Sequence, residues 1–111
     1  MEDLQQFFNN AEFVLKTQQQ ISKDFAKFNL TFPEKFEERP YTKEDIELLI
    51  ADHLAEILKF GETRLLQLLY TIDIPEKQFL QLTQNQNFIQ ILSQKILERE
   101  ALKVFLRMKF S

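Results

Sequence analysis

From Leu4 to Phe28, residues of one helical face recur at alternating three- and four-residue steps: Leu4, Phe7, Ala11, Val14, Gln18, Ile21, Phe25 and Phe28. Only a 3.6-residue helical turn puts such a series on one stripe. The whole chain of 111 residues holds one glycine and three prolines to interrupt helices. Together these features predict an all-α fold, an irregular bundle of four to five helices with a long N-terminal and a long C-terminal helix. The first stripe predicts a helix over residues 2–29, about 40 Å long at 1.5 Å per residue. That is longer than a compact domain of this size needs. A polar run at residues 16–20 crosses its middle, so this helix either bends or projects toward a partner.

Residues 30–40 read as the one connector, because Pro33 and Pro40 do not suit a helix interior. Phe32 and Phe36 are expected to fold back onto the core. The next helix has a clear start: Thr42 as cap, Asp45 three residues on, and Tyr41 placed to staple onto Ile46. Its apolar face runs Ile46, Leu49, Ile50, His53, Leu54, Ile57, Leu58. Gly61 stands where a left-handed residue would end it. Residues 64–72 are apolar on almost every side and predict a short buried helix. Asp73 is then expected to cap a helix that carries Pro75 and Glu76 early and ends near Gln84. A turn at residues 85–87 leads to a final helix reaching about Lys109. With no repeat, hairpin signal or second core, residues 1–111 read as a single helical domain.

The chain is poor in the side chains that build active sites. It has one histidine and no cysteine. A thiol nucleophile and a thiolate metal site are therefore excluded. His53 with Glu56 on its face gives two ligands where a structural zinc site needs four. Its place on an apolar stripe points instead to a half-buried core histidine with one hydrogen bond. No Ser-His-Asp set assembles around it. The expectation is no enzyme, no catalytic or metal site, no cofactor, and no evident small-molecule substrate.

The absence of cysteine fits a reducing compartment. The acidic, amphipathic first ten residues do not resemble a secretory signal. No apolar run approaches a bilayer span. A cytoplasmic protein is expected.

The formal net charge is −3, unevenly placed. Residues 1–60 carry 12 acids and 7 bases, whereas residues 87–111 carry 2 acids and 5 bases. Lys95, Arg99, Lys103 and Arg107 stand four apart and form a basic stripe on the last helix. A solvated face explains it simply; the sharper reading is docking to an acidic surface. With Phe7 and Phe8 on the first helix, these residues are the candidate interaction set, and a homodimer or another protein is the expected partner. Twelve phenylalanines support that reading. A membrane-surface role for residues 88–110 ranks lower, because their apolar face is needed for the core.

Residues 64–84 also have the outline of a helix-turn-helix, whose second helix would present Lys77, Gln78, Gln81 and Gln84. Glutamine can read adenine edges, but two bases in the segment make a weak phosphate footprint. A DNA-binding regulator is thus the alternative, and nucleic acid is not the favoured partner.

Two stretches, Leu68-Leu69-Tyr70-Thr71-Ile72-Asp73-Ile74-Pro75-Glu76 and Glu98-Arg99-Glu100 continuing to Lys103-Val104 and Arg107, resemble small all-helical bacterial proteins of about this length to which no activity is assigned. The resemblance implies a compact helical domain and no chemistry.

Overall fold

The computed structural model describes residues 8–110. Five helices follow in order: α1 Ala11–Ala26, α2 Lys43–Leu58, α3 Glu62–Ile72, α4 Glu76–Leu82 and α5 Phe88–Phe110. No strand occurs among the described residues, so the chain is an all-α, irregular bundle. The 23-residue α5 is its axis. At 1.5 Å per residue it is about 35 Å long, and the longest dimension of the molecule is 35 Å. It packs against all four other helices, chiefly α1 and α2.

The first helix is shorter than its stripe implies. Asn10, in extended conformation, caps α1 by accepting from the Phe13 amide at 3.1 Å, which starts the helix at Ala11 rather than residue 2. The N-terminal part of the expected helix, with Leu4 and Phe7, lies outside the described residues. At the other end Asn29 turns left-handed at φ 61°, and the Leu30 amide donates back to Phe25 O. Asparagine tolerates this region better than most residues. α1 is therefore 16 residues, about 24 Å.

The polar run at residues 16–20 neither bends nor projects: Thr17, Gln18 and Gln20 face the interior, while Lys16 and Gln19 are exposed. Thr17 and Gln18 are fully buried. The Gln18 amide donates to Phe36 O at 2.6 Å and Arg39 O at 2.9 Å, and accepts from the Tyr41 amide at 2.6 Å. One side chain thus satisfies three backbone groups of the connector, which has no ladder of its own. Phe32 and Phe36 fold back as expected, stacked 4.4 Å apart, with Phe32 edge-on to Phe25 at 5.3 Å.

Thr42 caps α2 as expected, accepting from the Asp45 amide at 3.1 Å. Two later boundaries differ from expectation. Gly61 does have positive φ, 103°, but sits as the cap residue that opens α3. Asp73 does not cap α4. It ends α3 in the left-handed conformation (φ 78°), its amide donating to Leu69 O at 2.9 Å and that of Ile74 to the same oxygen at 2.8 Å. Pro75 disfavours helical backbone in the residue before it, so α4 waits until Glu76. α3 buries Leu65, Leu68, Leu69 and Ile72 but leaves Tyr70 exposed. It is amphipathic, not buried all round.

Candidate functional site

The expected interaction residues do not form one surface. Phe7 lies outside the described residues, and Phe8 is half-buried against the core. The basic stripe is divided by its own fold. Lys95 borders a groove with Asp73 and Arg99. Arg99 pairs with Asp73, the residue that ends α3. Lys103 turns inward, 2.7 Å from Asp24 Oδ2 and 2.5 Å from Glu100 Oε1. Arg107 donates to Gln20 Oε1 at 2.6 Å. Gln20 in turn donates to Asp24 Oδ1 at 3.1 Å. Two helices that run antiparallel, α1 and α5, are thereby fixed in register by a polar seam.

Glu100 and Asp24 are the members that sequence reasoning passed over. A signal for both exists. Glu100 stands four residues after Ile96 and four before Val104, and Asp24 three after Ile21, on the apolar faces of their helices. A charge in that register must be buried with partners. Glu100 is fully buried. Lys103 makes its directed hydrogen bond to Asp24, so neither Glu100 oxygen has an aligned donor. Desolvation is the largest influence on Glu100. Lys103 opposes it, the Asp24 charge adds to it, and the carboxyl is pushed up to about 8. Burial alone would also raise Asp24, but hydrogen bonds from Lys103 and Glu100 outweigh it and hold that carboxyl below its ordinary value. Lys103 is raised: burial opposes its charge, and the two carboxyl groups prevail. The seam holds a neutral Glu100 beside an Asp24–Lys103 ion pair.

A raised carboxyl can mark a catalytic acid, but such a group must reach a substrate. The groove beside this seam is lined by Lys16, Gln19, Gln20, Lys23, Val104, Arg107 and Met108. Glu100 does not border it.

His53 is half-buried, as its stripe position implied. Its Nε2 lies 2.7 Å from Thr31 O, and since a carbonyl only accepts, that nitrogen carries the proton. The ring packs on Phe25 and Phe32. It latches the connector to α2. Arg64 performs a similar task, donating to Phe28 O and stacking over the Phe28 ring. Among the described residues no group of three His, Cys, Asp or Glu is placed to hold a metal ion. Nor is any helix among them long and apolar enough to cross a membrane.

The helix-turn-helix outline is present as α3, a turn at residues 73–75, and α4. Phe79 anchors α4 in the core, while Lys77, Gln78 and Gln81 on α4 and Gln84 just beyond it are exposed. Arg64 is committed to Phe28, which leaves little cation on that face.

A groove of about 650 Å³ lies between the first half of α2 and the start of α5. Leu48, Ala51, Phe88 and Ile89 line it together with Glu44 and Glu47. Leu48 there is 64% exposed. Leu106 and Phe110, four residues apart on one face, stand outside the core in the last turns of α5, and Met108 is exposed on the side of the α1–α5 groove. Comparison of this chain with protein-family models, with curated proteins and with solved structures finds no match.

Proposed function

We propose that this chain is a non-enzymatic, cytoplasmic helical interaction module that associates with itself as a homodimer. The observation that carries the reading is the amount of large apolar side chain left outside a well-filled core. Phe25, Phe36 and Phe79 are buried, whereas Phe60, Tyr70 and Phe110 are 81%, 86% and 74% exposed. Single exposed apolar residues are ordinary. Here Leu48 is exposed beside the half-buried Phe88 and Ile89 at the α2–α5 groove, and Leu106 and Phe110 are exposed on one face at the end of α5; grouped apolar surface is what an interface uses. Each large side chain removed from water contributes roughly 1.5–3 kcal/mol.

Opposed charge supports self-association over a foreign partner. α2 carries five acids against one lysine, and the last turn of α5 carries Arg107 and Lys109. The lack of cysteine supports the cytoplasm, and the resemblance noted above supports a bacterial source. Light scattering coupled to size-exclusion chromatography tests the reading: the expected result is twice the 13.4 kDa chain mass, and the chain mass at every loading concentration overturns it.

A second reading, a DNA-binding regulator using residues 64–84, is favoured by the exposure of Lys77, Gln78 and Gln81 on the helix that follows the turn. It is the weaker one, because the phosphate backbone is held mainly by many cations.

A further inference from the structure

Resting on the self-association reading, we infer that the α2–α5 groove receives the C-terminal turn of α5 from a second copy of the chain. Groove and tail are matched in shape class and in charge. The groove is lined by Leu48, Phe88 and Ile89 together with Glu44 and Glu47, and Glu44 is exposed. Glu47 is paired with Lys43, while Glu44 has no ion pair among the described residues. The tail offers Leu106 and Phe110, four residues apart on one face of the helix, with Lys109 beside them. Lys109 lies over the Phe105 and Phe110 rings, 5.6 and 5.7 Å from their centroids. No acid lies between Glu100 and Phe110, so the last turn of α5 is basic where the groove carries acids. Complementary charge of this kind selects partner and orientation.

Groove and tail lie at opposite ends of one helix that spans the molecule. Two copies with α5 antiparallel about a two-fold axis therefore seat both tails in both grooves at once. That closes the assembly as a dimer; a one-way contact would propagate into a filament.

Sedimentation equilibrium of the full chain tests the pairing. Leu48→Glu and the pair Leu106→Glu, Phe110→Glu change exposed side chains, so thermal melting should be unaltered. Each should weaken the dimer at least about tenfold, which corresponds to about 1.4 kcal/mol. Glu44→Lys or Lys109→Glu alone should weaken it, and the two together should restore it. A wild-type chain that never dimerises overturns the self-association reading and this inference together. A dimer indifferent to Leu48→Glu and to the tail pair overturns this inference alone. So does a dimer that Leu48→Glu weakens but the charge exchange fails to restore, since another segment would then fill the groove. Filaments in place of dimers overturn the two-fold arrangement.

Discussion

Replacing Gln18 by methionine removes the three hydrogen bonds that hold the connector while keeping the volume of the side chain. Gln18 donates to Phe36 O and Arg39 O and accepts from the Tyr41 amide. A hydrogen bond contributes roughly 0.5–1.5 kcal/mol net, and a buried group left unpaired costs about 1–3 kcal/mol. Phe36 is buried; Arg39 is exposed and Tyr41 half-buried, so water can replace part of what is lost. The sum is about 2–4 kcal/mol. Unfolding entropy near 2.1 cal/mol/K per residue gives about 0.23 kcal/mol/K for a chain this long, so Tm should fall by about 9–17 °C. Calorimetry measures the drop, and limited trypsin digestion should show earlier cleavage at Lys35. A Tm within about 2 °C of wild type, roughly 0.5 kcal/mol, would refute the reasoning: the connector would then be held by its phenylalanines and by the bonds from Gln19 and His53.

Folded Glu100 keeps its proton to about pH 8, against an ordinary value of 4.5. The native state binds more proton between those limits, so this group lowers stability as pH rises through them. Asp24, held below 3.8, adds stability above that value that is lost as pH falls further. Stability should peak near pH 4–5, and Glu100→Gln should raise Tm increasingly from there to about pH 9; a gain constant with pH would contradict the neutral Glu100. His53→Phe keeps the ring among Phe25 and Phe32 but loses the bond to Thr31 O, and should cost about 1 kcal/mol in urea unfolding. An unchanged midpoint would mean that ring packing alone latches the connector. If residues 64–84 read DNA, Lys77→Ala should weaken duplex binding in fluorescence anisotropy, with steep loss of affinity in salt. No binding at low salt by the wild-type chain ends that reading.

The fold was largely legible because its helices are set by local rules. The Thr42 cap, the apolar spacing of α2 and the prolines of the connector each act within a few residues, and each appears where the spacing places it. The start of α1 was not legible, since apolar periodicity runs straight through Asn10 and only the cap hydrogen bond to Phe13 breaks it. Asp73 misled for a related reason. Its side chain suits a cap, but Pro75 fixes where α4 can begin. The basic stripe was readable as a pattern and misleading as a surface. What Arg99 and Lys103 face depends on Asp73 and Asp24, partners 26 and 79 residues away. The α2–α5 groove joins segments some forty residues apart, and no local pattern announces it.

The central claim is that this chain meets a second copy of itself, and its mass in solution tests that most directly. Sedimentation velocity over a wide range of concentration, at low and high salt, should show a monomer–dimer equilibrium that weakens as salt screens the opposed charges. A single monomeric species throughout would contradict it.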